Sequence, residues 1–248
     1  MNKTNEYYKS SYIQKKLAYE CRYREVIFIK RLPDKNMTLR PFKIFKPEHF
    51  KWIYNRYHLD KCDFDMYISN ASVKLPILPS NPKELKNARK MLNEQWMDLL
   101  TGYDFYVDLD PSCQNDEKEL IIWSVQLRRA LCKKYELNKS KFSIYKTGSG
   151  GVHLILKGKF TPEFVRNAVM DTCVELNIPL RDPRKTIDNE VFIPKNGLWI
   201  KKPDDENVPV NPKPHVDNSI YDIRRIRRVP YSIHSDTGNP MVKVKIAG

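Results

Sequence analysis

Glycine and cysteine are both scarce in this chain of 248 residues, with 8 and 5 copies. The cysteines, Cys21, Cys62, Cys113, Cys132 and Cys173, are far apart and odd in number, without any Cys-x-x-Cys or Cys/His pair at zinc-like spacing. That excludes a disulfide framework and a zinc finger, and it predicts single thiols serving as small core residues. Long apolar runs are missing as well. No stretch approaches the roughly 18 to 20 apolar residues of a membrane span, and the first residues, Met1 to Tyr8, are polar. The expectation is a soluble intracellular protein, cytoplasmic or nucleoid-associated, with no membrane partner. No internal repeat or compositional break divides the chain. This predicts one domain over 1–248, with an N-terminal part (1–100) and a part that carries the chemistry-bearing motifs (101–248).

Acidic residues are the minority charge: 30 Asp and Glu stand against 44 Lys and Arg, a net charge of +14. Such a balance favours a polyanionic partner such as nucleic acid. Lysine is nevertheless spread along most of the chain, as on an ordinary solvated surface, so charge is supporting evidence only.

Arg24 to Ile29 and Asp63 to Ile68 alternate as strands, and Pro47 opens a helix predicted through His58. Asn81-Pro82 supplies an N-cap and a proline at the first helical position of a segment running to Leu100. Tyr103 to Leu109 reads as a strand. Asn115 can cap the helix that follows, whose Leu120, Trp123, Leu127 and Leu131 recur at three- and four-residue steps and predict one buried face. Phe142 to Tyr145 and Val152 to Leu156 predict a hairpin around a glycine turn, and Thr161-Pro162-Glu163 starts another helix. Four prolines from Pro203 to Pro214 predict an extended loop that carries the chain back to the site, and Met241 to Ile246 reads as a strand with one wet face. The predicted fold class is α+β.

Three segments carry candidate chemistry. In Phe105-Tyr106-Val107-Asp108-Leu109-Asp110, positions two apart share a strand face, so Asp108 and Asp110 stand side by side while Val107 and Leu109 face the core. Adjacent carboxylates repel, and a hard divalent cation such as magnesium or manganese relieves the repulsion; a solvated pair at a strand end is the alternative. The second segment is Lys146-Thr147-Gly148-Ser149-Gly150-Gly151-Val152-His153, where three of the eight glycines fall within four positions. Backbone without Cβ atoms approaches phosphate oxygens closely, and Thr147, Ser149 and His153 add donors, although a plain hairpin turn accounts for the glycines equally well. The third runs from His215-Val216-Asp217 through Asp222 to Arg224-Arg225-Ile226-Arg227-Arg228 and Ser232-Ile233-His234, with four arginines in five positions. It predicts a compact cationic surface for triphosphate or nucleic-acid backbone, or else a charged helix face.

Taken in order, these segments resemble the three motifs of the archaeo-eukaryotic primase superfamily: Asp-x-Asp on a strand, a glycine-rich turn ending in His, and a later hydrophobic-Asp. Arg24-Glu25-Val26-Ile27-Phe28 and Asp65-Met66-Tyr67-Ile68-Ser69 resemble two early strands of primase catalytic subunits. Arg228 to Gly238 is similar to the basic-x-Pro-x-Ser-x-His segment with its trailing Thr-Gly. Val107 to Pro111 and the glycine turn also resemble the polymerase domain attached to bacterial end-joining ligases, whereas the arginine-rich segment and Ser232-Ile233-His234 favour the replicative primase branch. The sequence departs from the family at Ser149 and Gly150, where arginines are usual, and at Asp236, where a basic residue is. It also lacks the zinc-binding Cys/His cluster.

The resemblance implies a primase catalytic core, mixed or antiparallel sheets flanked by helices with an RRM-like catalytic unit and no zinc module. It makes Asp108, Asp110 and Asp217 the catalytic ligands of two Mg2+ or Mn2+ ions, with Asp222 the fallback for the third. It places Thr147, His153, Arg225, Arg228 and His234 at the incoming nucleotide, together with Gly148, Ser149 and Gly151 of the turn, and Lys146 or the arginine cluster supplies the charge the turn lacks. The implied activity is template-dependent nucleotidyl transfer: synthesis of a short RNA or DNA primer on single-stranded DNA from nucleoside triphosphates, with release of pyrophosphate. A repair or translesion polymerase that only extends primers, and a non-catalytic nucleic-acid-binding replication subunit, remain open beside it. A primase large subunit or another replication protein is the further partner this reading allows.

Overall fold

The computed structural model describes residues 3–74, 87, 90, 94–112, 116–181, 185–187, 190–195, 198–201, 214–222 and 224–246. The helix expected from Asn81, the cap expected at Asn115, Cys113 and nearly all of the expected 203–214 loop lie outside them. The chain begins with helices α1 (Lys3–Lys9) and α2 (Ser11–Cys21), then strands β1 (Val26–Arg31) and β2 (Asn36–Phe42), helix α3 (Pro47–Arg56) and strand β3 (Asp63–Ser69). Short strands β4 (Ala71–Val73) and β5 (Leu100–Tyr103) lead to β6 (Phe105–Asp110), helix α4 (Glu117–Lys134), strands β7 (Phe142–Lys146) and β8 (Val152–Leu156), and helix α5 (Pro162–Glu175). Strands β9 (Lys185–Ile187), β10 (Glu190–Lys195), β11 (Leu198–Lys201), β12 (His215–Val216), β13 (Ile226–Arg228) and β14 (Val242–Lys243) complete it. The fold is α+β, and its named strand pairs are all antiparallel.

Two sheets organise the molecule, one in the order β13-β3-β1-β2 and one in the order β12-β6-β8-β7-β14. Val107, Leu109, Val152, Leu154, Phe142 and Ile144 turn one face of the five-stranded sheet into a core shared with Leu120, Leu127 and Leu131 of α4 and with Val165 and Val169 of α5. Thr161 caps α5, its hydroxyl accepting the Phe164 amide at 3.1 Å, and Pro162 fills the first turn where a missing N–H costs nothing. The other sheet packs on α1, α2 and α3 through Tyr8, Leu17, Phe28, Phe50 and Phe64. Cys21 and Cys173 are buried in these cores, whereas Cys62 and Cys132 are only half-buried.

Several expected elements have different ends. The helix from Pro47 stops at Arg56, because His58 takes a left-handed backbone with φ 50°. The strand expected from Tyr103 to Leu109 is broken at Asp104, whose amide leaves the ladder for the Asn70 carbonyl at 3.2 Å. The strand expected over Met241 to Ile246 shortens to Val242–Lys243.

Buried ion pairs join the two sheets. Asp104, fully buried between β5 and β6, accepts Arg24 at 2.7 Å and Arg227 at 2.8 Å, both from the four-stranded sheet side. Within that sheet Asp65 accepts Arg228 at 2.7 Å, Arg31 at 2.6 Å and the Ser235 hydroxyl at 2.7 Å. Burial alone would raise the Asp65 carboxyl, but the hydrogen bonds from Arg228 and Ser235 outweigh it and bring its pKa down to about 2. A carboxyl depressed on folding stabilises above its unfolded value near 3.9, and this contribution fades as the folded group protonates toward pH 2. Urea unfolding of wild type and Asp65→Asn should therefore differ most above about pH 4, with the gap narrowing by about 2 kcal/mol toward pH 2. A gap independent of pH would show that the ionised carboxylate is not its source.

Candidate active site

Strand geometry sends Asp108 and Asp110 of β6 to the face opposite Val107 and Leu109, away from α4 and α5. β12 lies alongside with His215 opposite Asp110 and Val216 opposite Leu109. The next residue, Asp217, donates its amide to the Asp108 carbonyl at 2.9 Å, so a carboxylate from far along the chain is set beside the pair. Asp217 is nearly enclosed. One of its oxygens accepts the Ser219 amide at 2.9 Å and hydroxyl at 2.6 Å, while the other receives Arg181 at 2.9 Å and has Arg225 at 3.7 Å. Asp110 is the open member, with its side chain 43% exposed.

Burial and then the charges of Asp108 and Asp217 push the Asp110 carboxyl up to about 7, with partial relief from Arg181 and Arg225. Burial also favours the neutral form of Asp108, yet His153, a hydrogen bond from Tyr106 and the charge of Arg225 outweigh it and hold that carboxyl low. The His153 Nε2 lies 3.2 Å from Asp108 Oδ1 and 3.0 Å from the Tyr106 hydroxyl. Strand pairing sets this contact, because His153 is the β8 partner of Asp108. Its Nδ1 is buried and finds no hydrogen-bond partner among the described residues.

The glycine turn closes against the strand end that carries Asp110. Gly148 and Gly150 have φ of +86° and +97°, and a Cβ on Gly148 would sit 2.6 Å from the Asn239 carbonyl oxygen. Thr147 bridges the turn, its amide and hydroxyl donating to the Gly151 carbonyl at 2.9 and 3.1 Å and its oxygen lying 3.0 Å from the Ser149 hydroxyl. The segment around His234 docks on the same turn, with the Thr237 hydroxyl donating to the Gly148 carbonyl at 2.9 Å. Burial first, and then Arg228, lowers the His234 pKa, which favours its neutral ring.

The structure therefore gathers Asp108, Asp110, Asp217, His153 and Arg225, with Thr147, Gly148, Ser149, Gly151 and His234 along one edge. Three expected residues are placed elsewhere. Lys146 follows Ile144 on the helix-facing side of β7 and pairs with Glu117 of α4 at 2.8 Å, because strand alternation turns it away from the carboxylates. Arg228 is buried against Asp65 and the Tyr67 ring, and Arg227 against Asp104, so the expected compact cationic surface is divided between ion pairs inside the fold and the outward Arg224 and Arg225. Asp222 is exposed and accepts the Arg224 amide at 2.8 Å, a turn contact that leaves the place beside Asp108 to Asp217.

Tyr106, His215, Arg181 and Ser219 went unread as site residues. Period-two alternation could have found Tyr106, two positions before Asp108, and His215, two before Asp217. Ser219 follows the short Asx-type pattern in which a carboxylate accepts an amide two residues on. Arg181 carries no sequence signal: its amide donates to the Val216 carbonyl at 2.9 Å, and that tertiary contact delivers its side chain.

Among the described residues no three His, Cys, Asp or Glu side chains stand at metal-caging separation. The donor chemistry fits a hard divalent cation nonetheless. Asp108 and Asp110 offer carboxylate oxygens on one face, and the charges of Asp108 and Asp217 add to burial in raising the Asp110 pKa.

No family model matches the chain, and no curated protein matches it. Among solved structures, the polymerase domain of Ligase D from Mycobacterium tuberculosis, determined in complex with DNA, is similar with a TM-score of 0.58 at 13% identity, over 98% of this chain and 79% of that one. At that identity the likeness is one of fold. None of the helices among the described residues is long and apolar enough to cross a membrane.

Proposed function

We propose that this chain is a template-dependent nucleotidyltransferase of the archaeo-eukaryotic primase kind, acting on single-stranded DNA with nucleoside triphosphates. The observation that carries the reading is the set of three carboxylates, Asp108 and Asp110 from β6 and Asp217 from the end of β12, that strand pairing brings side by side. The fold it shares with a DNA-bound polymerase domain supports the same reading.

The reaction is attack of a 3′-hydroxyl on the α-phosphorus of the incoming nucleotide, with pyrophosphate leaving. Two magnesium or manganese ions held by Asp108, Asp110 and Asp217 would supply charge neutralisation at the phosphates and a lowered pKa for the attacking hydroxyl. Asp108 and Tyr106 fix the orientation of the His153 ring, whose Nδ1 is enclosed, so that His153 serves the site by holding Asp108 in place. Arg225, half exposed and 3.7 Å from Asp217, offers a guanidinium to a phosphate or sugar oxygen. In the turn from Thr147 to Gly151, Ser149 is the exposed residue, while Gly148 packs on Asn239 and Gly151 on Leu109.

Two finer readings differ in whether the enzyme starts chains. Initiation is supported by the primase-like Arg228 to Gly238 segment, and extension alone by the likeness to the Ligase D polymerase domain and by Ser149 and Gly150 in the turn. Incubation with primed and unprimed single-stranded templates, ribo- or deoxynucleotides, and magnesium or manganese should give labelled extension products on the primed template. Products on the unprimed template assign initiation as well. No incorporation on either template, with either ion, would refute the enzymatic reading. A purely binding subunit is disfavoured because clustered carboxylates repel a phosphate backbone.

A further inference from the structure

The carboxylate-bearing face of the five-stranded sheet continues past His153 into a second concavity. Along β8 the next residue on that face is Ile155, about 7 Å further on, and its β7 partner Ser143 stands two positions before Tyr145, the partner of His153. Ser143, Tyr145 and Ile155 form part of the lining of a pocket of about 370 Å³ whose other lining residues include Lys16 and Tyr19 of α2 and Tyr231. The volume is in the range of single small-ligand sites and far too small for a duplex.

Its charge is one-sided. Lys16, Lys141, Lys157 and Lys243 line it against the single carboxylate of Glu20, which pairs with Lys157 at 2.9 Å. Lys141 and Lys243 have no carboxylate partner among the described residues. Aromatic rings interleave with these amines: Lys16 lies 5.5 Å from the ring centroids of both Tyr12 and Tyr231, and Lys157 lies 4.5 Å from that of Tyr19. Tyr19 itself is 63% exposed, a large ring that the fold leaves in water beside the pocket. Apart from Tyr231, which lies within the Arg228 to Gly238 segment, none of these residues belongs to the carboxylate site or to the motifs that indicated it.

We propose that this pocket is a second nucleic-acid subsite, holding one internal phosphodiester of a single strand on Lys16, Lys141 and Lys243 while a base stacks on Tyr19. Lysines that track a backbone and exposed rings that accept any base are the two elements of sequence-tolerant single-strand binding. Continuity with the His153 face makes the bound strand one that runs toward the carboxylates, and in that respect the proposal rests on the nucleotidyltransferase reading.

The test is titration of a labelled oligothymidylate into the full chain, followed by fluorescence anisotropy over a range of salt concentrations. Lys141→Ala/Lys243→Ala, at two exposed positions, should weaken binding roughly tenfold near 0.1 M salt and flatten the slope of log K against log salt by about 0.7, the loss of one single-strand phosphate contact. Tyr19→Ala should weaken it about fivefold or more and leave the slope unchanged. Unaltered affinity and slope in the double lysine variant, with an unchanged melting temperature, would overturn the proposal. Competition by nucleoside triphosphate or inorganic phosphate at lower concentration than by unlabelled oligonucleotide would overturn the assignment to a strand. The same titration in an Asp108→Asn/Asp110→Asn background separates the two ideas, since a failed polymerase reading leaves the strand binding and its salt slope in place.

Discussion

Asp108→Asn/Asp110→Asn is expected to lower nucleotide incorporation at least about 10³-fold, roughly 4 kcal/mol of transition-state stabilisation, while the protein remains folded. The two side chains share the open face of β6 and contribute nothing to the apolar core beneath it, which Val107 and Leu109 supply from the other face. Asparagine keeps the size of each group and removes the charge a divalent cation requires. It also removes at Asp110 a carboxylate that burial, and then the charges of Asp108 and Asp217, raise to a pKa of about 7, so the melting temperature in EDTA at pH 8 should hold or rise. Wild type should gain thermal stability when magnesium or manganese is added, and the double variant should gain little, because a ligand that binds only the folded state stabilises it by mass action. Extension of a primed template by the double variant at near wild-type rate would remove the metal site from the proposal. A collapse of the fold would instead assign the carboxylates a structural role.

Asp104→Asn should destabilise the protein by about 3 to 5 kcal/mol, the usual penalty for leaving a buried charge without its partner. At the size of this chain that is a fall in melting temperature on the order of 10 °C. Asp104 is fully buried and holds both Arg24 and Arg227; burial first lowers the Arg24 pKa, and Asp104 partly offsets it. Arg24 also donates to the Asn70 and Ser69 carbonyls, and the Gly158 amide donates to Asp104 at 3.1 Å, so the ion pairs sit where the two sheets meet. Replacing Asp104, Arg24 and Arg227 together with apolar residues of similar volume should restore much of the loss, since a well-packed apolar cluster often equals a buried ionic triad. Calorimetry of the single and triple variants measures both effects. A loss below about 1 kcal/mol in the single variant would show that the clamp carries little of the stability.

The arginine run shows where linear reading reaches its limit. Four arginines in five positions predict a phosphate-binding surface by composition. Antiparallel pairing of β13 with β3 puts Arg227 opposite Ile68 and Arg228 opposite Tyr67, and both side chains end inside the fold. Each buried guanidinium needs a carboxylate, and those carboxylates, Asp104 and Asp65, lie more than a hundred positions away in separate segments. Lys146 shows the opposite case. Alternation along β7 places it on the side of Ile144, so its separation from the carboxylate face is legible in the spacing of residues alone.

The sequence by itself determined that Asp108 and Asp110 stand side by side with Val107 and Leu109 turned to the core, and that His153 shares a face with Ile155. It also determined that helices begin at Pro47 and Pro162, because alternation and first-turn proline are properties of adjacent residues. Only the tertiary structure decided that β12 lies along β6 and carries Asp217 to the Asp108 carbonyl, and that Arg181 reaches the same carboxylate. It alone decided that the lysines of α2, β14 and the ends of β7 and β8 surround one pocket. Strand pairing between distant segments depends on how separate apolar faces share a core, and no local pattern records which partner that core will bring.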